Sequence, residues 1–111
     1  MSTSAALTGL ALIAATLGSV AATSGPEPRR SSEQIYAERC AFCHDASGWG
    51  TRTLARRLPP AEAALLDRVN LPPAYTKFVV RHGIGAMPQF NPSEITDGEL
   101  AEIALWLESR N

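Results

Sequence analysis

The sequence predicts an all-α domain of four or five short helices, and three observations carry that prediction. No stretch of useful length alternates apolar and polar residues with period two, so strands have no signature. Ser31 with Gln34, and Thr96 with Glu99, have the spacing of capping boxes, in which side chains and backbone amides satisfy one another at a helix start. Leu100, Ile103, Ala104 and Leu107 recur at i, i+3, i+4 and i+7, the stripe of an amphipathic helix.

The elements follow in chain order. Ala5 to Ala22 is apolar and uncharged and ends in the small residues Ser19-Val20-Ala21-Ala22, which reads as a secretory signal over residues 1–22. The usual basic n-region is missing, so an uncleaved membrane anchor is the rival reading, although the stretch is shorter and less apolar than a typical spanning helix. Residues 23–31, with Gly25, Pro26 and Pro28, have no apolar period and read as a flexible leader, leaving 32–111 as the domain proper. A first helix begins at Ser31 or Ser32 and runs into Cys40 and Cys43, placing Tyr36, Cys40, Cys43 and His44 on one face. Asp45 to Thr53, with Gly48 and Gly50, reads as a loop.

Leu-Pro-Pro then occurs twice, at 58–60 and 71–73, each time ahead of a segment of helical composition, Ala61 to Val69 and Ala74 to His82. Proline is tolerated in a first helical turn because its missing N–H would be unpaired there. Gly83 falls where a left-handed C-cap is expected, and Gly85 to Pro92 reads as a loop centred on Met87-Pro88. In the last helix Ile95, before the cap, and Leu100 can form a hydrophobic staple, with Trp106 beside the apolar stripe.

Residues 40–44 read Cys-Ala-Phe-Cys-His. Two thiols three apart can add to the two vinyl groups of a haem while the adjacent imidazole reaches its iron, so this spacing is the attachment pattern of c-type haem. It assigns Cys40 and Cys43 to attachment and His44 to the iron. A thioredoxin-like pair would need a βαβ setting, which this helical segment lacks. A zinc site needs four ligands, and two Cys with two His, one pair adjacent in sequence, are poorly placed to share one ion. A disulfide across two intervening residues would strain a helix. For the sixth iron position the candidates are Met87, the methionine left once Met1 departs with the signal, then His82, or an open, water-filled site. His82, at a helix end, has an alternative explanation in the helix dipole.

Removal of the signal would leave 89 of 111 residues, a size at which a core is marginal and a covalently held haem would act as a staple. The net charge of −1 excludes a strongly basic nucleic-acid binder. Charge is nonetheless segregated: Arg39 to Arg81 holds seven basic side chains against three acids, and His82 to Asn111 holds five acids against Arg110. Two ordinary solvated faces explain this, as does a docking patch that orients a redox partner.

The chain resembles class I cytochromes c from about Ser32 to Leu107. The resemblance is carried by Tyr36 four before Cys40, the Cys-Ala-Phe-Cys-His run, Gly48-Trp-Gly50, Leu54, Ala86-Met87-Pro88-Gln-Phe90 and Ile103-Ala-Leu-Trp106-Leu107. It implies a small cytochrome c fold wrapped around one covalent haem, Met87 as distal ligand, Tyr36 packed on Ile103 and Trp106, and an exposed haem edge as electron port. Ser32 stands where that family usually has the glycine of a close helix crossing. Gly50-Thr51 stands where it has Gly-Pro, whose proline carbonyl accepts the ligand imidazole's N–H; another carbonyl, that of Thr51 first, must then take the bond.

Leu71-Pro-Pro-Ala-Tyr75, Val80-Arg81, Gly83 and Ala86-Met87-Pro88 further resemble the cytochrome subunit of flavocytochromes of the p-cresol methylhydroxylase and eugenol hydroxylase type. That resemblance implies a non-catalytic, periplasmic electron-transfer protein that accepts single electrons from a flavoprotein subunit. A free-standing periplasmic carrier to a terminal oxidase is one alternative, and a haem protein with an open distal site, acting as enzyme or gas sensor, is another. The Arg52, Arg56 and Arg57 cluster would then face the partner, the haem propionates or solvent.

Overall fold

The computed structural model describes residues 28–110; the signal assigned to 1–22 and the first part of the leader lie outside them. The described chain is helical. Helix α1 (Ser32–Ile35) continues without a break through a π-helical turn (Tyr36–Cys40) into α2 (Ala41–His44). Then come α3 (Trp49–Leu54), two 3-10 turns (Pro60–Glu62 and Leu65–Asp67), α4 (Pro73–His82) and α5 (Asp97–Glu108). Among the described residues the extended structure is one isolated bridge between Ile84 and Met87.

Both capping boxes form. The Ser31 hydroxyl accepts from the Gln34 amide at 3.3 Å while Gln34 accepts from the Ser31 amide at 2.8 Å. At α5 the Glu99 amide donates to the Thr96 hydroxyl at 3.2 Å, and the Thr96 amide donates to the Glu99 carboxylate at 2.9 Å. Ile95 and Leu100, the two ends of the staple, are both buried in the core.

The core lies where α1 and α4 pack on α5. Ile35 and Tyr36 meet Leu100, Ile103 and Leu107 there, with Leu71, Val80 and Ile95 closing the cluster. Each such side chain contributes about 1.5–3 kcal/mol when fully buried. The Tyr36 ring lies 5.9 Å from that of Trp106 at 51°, the tilted aromatic contact that the cytochrome resemblance implies.

Three local expectations differ from what forms. The segment read as a loop, Asp45 to Thr53, holds α3, capped by Gly48; the Thr51 hydroxyl donates to the Asp45 carbonyl at 2.6 Å and fastens the preceding turn to it. The segment read as a helix, Ala61 to Val69, is broken into two 3-10 turns because Ala64 takes an extended backbone between them. That break brings Ala63 and Ala64 into the interior and lets Leu65 and Leu66 pack on the core, a gain that a short isolated helix cannot match. Finally, within the first helix the Ala41 amide reaches back to the Tyr36 carbonyl, a π turn that inserts one residue per turn next to the cysteine motif.

The end of the leader is pinned. Arg29 pairs with Glu102 at 2.9 Å, and Arg30 donates to Glu99 at 2.8 Å, to Glu38 at 2.9 Å and to the Glu94 carbonyl at 2.9 Å. Arg29 and Arg30, the last residues before Ser31, are thereby tied to α5 and to the first helical stretch. Arg30 first, then the Thr96 amide, hold the Glu99 carboxyl down at about 2, below its usual 4.5. A depressed carboxyl stabilises the fold above its unfolded value, and that stabilisation disappears as pH falls through the folded value. Melting temperatures measured between pH 4.5 and 2 are expected to show this loss, and the Glu99→Gln protein to lack that part of the decline; identical pH profiles would contradict the clamp.

Candidate functional site

A cleft of about 740 Å³, counting its open mouth, lies between the N-terminal helices, the 3-10 turns, α4 and the Met87 loop. Cys40, His44 and Met87 all line it, together with mainly aliphatic side chains. Cys43 is not among the lining residues; its backbone and Cβ abut Gly50 at the start of α3.

Met87 is placed by a two-residue hairpin. The Ile84 amide donates to the Met87 carbonyl at 3.1 Å and the Met87 amide to the Ile84 carbonyl at 3.0 Å. Gly85 supplies the positive φ of 57° that a II′-type turn needs at its first central position. Gly83 precedes it with φ 71° and ψ 169°, a mirror-β conformation open to glycine alone rather than the left-handed cap expected from sequence. A Cβ at Gly83 would also lie 2.7 Å from the Met87 carbonyl oxygen. Gly83→Ala is expected to cost about 1–3 kcal/mol in denaturant titration, in line with such backbone strain, and to displace the Met87 hairpin.

His44 is half-buried, and burial first, then the charge of Arg68, lower its pKa below the ordinary imidazole value. A neutral ring with a free nitrogen is the form that binds metals. The expected Thr51 carbonyl partner is absent: that carbonyl accepts the Ala55 amide at 2.9 Å inside α3, and the His44 Nδ1 is buried without a partner. The imidazole is therefore held by packing, with Gly48 and Gly50 letting α3 close on the Cys43 carbonyl behind it. Burial pushes the Cys40 thiol up to about 11, so it is not the low-pKa thiolate of a redox-active cysteine pair.

His82 points elsewhere. Its Nδ1 lies 2.8 Å from the Phe78 carbonyl and its ring stacks on Phe78 at 4.2 Å, outside the cleft. Arg52, Arg56 and Arg57 also lie outside it. Two residues that the sequence reading missed do line it, Arg68 and Thr76. Their signals were present: a lone cation after the apolar run Ala63 to Leu66, and a hydroxyl four before Val80 on the apolar side of α4.

The residues present fit a haem. An apolar slot flanked by a thiol, a neutral imidazole and a thioether matches the macrocycle's flat apolar faces and its iron. Tyr75 and Ile84, 45% and 59% exposed at the mouth, are apolar surface that such a group would cover. Fold and cleft together define a small c-type cytochrome.

Comparison with known proteins agrees. Residues 27–107 match the family described as cytochrome c oxidase, cbb3-type, subunit III, and the chain belongs to that family of c-type cytochromes. It carries one covalently bound haem c and transfers single electrons. Over 80 residues it is 32% identical to the 4-cresol dehydrogenase [hydroxylating] cytochrome c subunit of Pseudomonas putida, covering 71% of this chain and 59% of that protein. The chain thus spans about three-fifths of the length of that relative. No solved structure matches. Among the described residues no helix is long and apolar enough to cross a membrane.

Proposed function

We propose that this cytochrome is the electron-accepting subunit of a flavoprotein dehydrogenase, exported to the periplasm by residues 1–22. In this reading Cys40 and Cys43 would hold the haem covalently, and His44 and Met87 would bind its iron. The observation that carries it is the convergence of Cys40, His44 and Met87, from opposite ends of the domain, on one apolar cleft. When bound, the haem would supply a ferrous/ferric couple, whose potential a Met87 thioether ligand would raise.

The chain's own residues do the rest. The aliphatic lining excludes water, and the Met87 hairpin, locked by two backbone hydrogen bonds, fixes the distal side chain so that little reorganises as charge changes. Within the attachment motif Phe42 is 92% exposed, and Trp49 is exposed on α3, near Arg52 and Arg56, which pair with no carboxylate among the described residues. Exposed aromatic and arginine side chains are the residue types that anchor protein interfaces. Substrate bonds are made and broken on the partner. The similarity to a 4-cresol dehydrogenase cytochrome subunit supports a donor that oxidises alkylphenols.

Stopped-flow mixing of the oxidised holoprotein with an alkylphenol-oxidising flavoprotein and 4-cresol tests this reading. Substrate-dependent reduction of the cytochrome, with co-elution of the two proteins, is expected. A cytochrome that stays oxidised and elutes alone would sink it.

A further inference from the structure

We propose that Arg68 and Thr76 form a carboxylate-binding end of the cleft and hold a propionate of the haem, an assignment that rests on the haem reading above. Arg68 is half-buried and, apart from the Cys40 and His44 ligand set, supplies the ionic side chain of an otherwise aliphatic lining. Arg29, Arg30 and Arg81 all pair with carboxylates, but Arg68 pairs with none among the described residues. An arginine bordering an apolar cleft without a counter-ion has its planar fork free to match a carboxylate.

Thr76 is the independent observation. It is 8% exposed, it lines the same cleft, and its hydroxyl is buried without a hydrogen-bond partner. A helical threonine can bond back to the carbonyl four residues earlier, which satisfies its hydroxyl locally. Here the Pro72 carbonyl accepts the amides of Tyr75 and Thr76, at 3.0 and 3.2 Å, and the hydroxyl is left over. Such a group is satisfied only by whatever fills the cleft.

Position selects the ligand atoms. Thr76 lies seven residues before Gly83 on α4, roughly 10 Å along the axis at about 1.5 Å per residue, whereas the Met87 carbonyl stands beside Gly83. Arg68 precedes Leu71 on the chain leading into the same end of α4. The two polar groups therefore sit at the N-terminal end of α4, away from the Met87 backbone, where a haem bound through Met87 would place an edge. The acceptors a haem edge offers are its carboxylates.

Covalent loading, midpoint potential and the propionate-bending band in resonance Raman spectra of the holoprotein test the assignment. Arg68→Gln is expected to move the ferrous/ferric ratio at fixed ambient potential toward ferric by on the order of tenfold, through loss of a nearby cation. Arg68→Lys should recover part of that shift. Both Arg68→Gln and Thr76→Val should displace the propionate band. If Arg68→Gln does not fold, Arg68→Lys and Thr76→Val carry the same readout. Variants that load haem with the propionate band unmoved would overturn the assignment, whereas an unmodified protein without covalent haem would overturn the haem reading itself.

Discussion

Reduced Met87→Ala protein is expected to bind carbon monoxide within the mixing time, while the unmodified protein resists it. Met87 is the distal candidate that the structure brings to the cleft, since His82 is spent against Phe78 outside it. Truncation to alanine removes the thioether but leaves the Ile84–Met87 backbone bridge, because both of its hydrogen bonds use main-chain atoms. The fold should therefore persist with an open distal side. The midpoint potential is expected to fall by on the order of 100 mV, a modest part of the ~0.8 V that axial ligation spans in haem proteins. A variant with unaltered potential and no carbon monoxide binding would mean that another group occupies the distal position.

Gly48→Ala is expected to disrupt the domain from the opposite side of the cleft. Gly48 has φ −62°, an ordinary backbone angle, so the objection is purely steric. A Cβ there would overlap the Cys43 carbonyl group and lie 3.0 Å from the His44 amide nitrogen, all backbone atoms that cannot rotate away. Relief requires α3 to lift off α2, straining the Gly48 amide bond to Asp45 at 3.1 Å and the Thr51 hydroxyl bond to the same carbonyl. Urea titration should show a loss at or above the upper end of the ~1–3 kcal/mol that overpacking costs. Gly98→Ala is the matched control, because nothing lies within 4 Å of a Cβ at that helical position. It should be neutral or stabilising by about 0.5–1 kcal/mol. Equal effects of the two substitutions would contradict the packing account.

What sequence alone could show, and what it could not, divides by the range of the interaction. Capping boxes at Ser31 and Thr96 and the staple from Ile95 to Leu100 are local patterns, and they were readable because their partners lie within a few residues. The c-type cytochrome class was readable because a haem's own dimensions fix the spacing of a Cys-x-x-Cys-His run such as residues 40–44. Helix α3 was not: Trp49-Gly-Thr-Arg-Thr-Leu is a weak helix former, and Gly48 and Thr51 hold it from outside, through Cys43 and Asp45. The break at Ala64 and the π turn at Tyr36 are likewise imposed by what the chain must bury, and helical composition gave no sign of either. Pairing of Arg30 with Glu99 joins residues 69 apart in sequence, beyond any local pattern.

The loss of proline after Gly50 has a sharper outcome than the sequence suggested. A replacement carbonyl was expected at the ligand imidazole, yet Thr51 spends its carbonyl within α3 and its hydroxyl on Asp45. His44 is consequently oriented by the close approach of α3 more than by a hydrogen bond, which makes the glycines at 48 and 50 the residues on which its placement depends.

Absorption of the oxidised holoprotein in the far red tests the central claim most directly. Coordination of ferric iron by His44 and Met87 predicts the weak sulfur-to-iron band of a thioether-ligated cytochrome, present in the unmodified protein and abolished in Met87→Ala. A ferric spectrum without that band, or one in which it survives the substitution, would contradict the six-coordinate electron-transfer site.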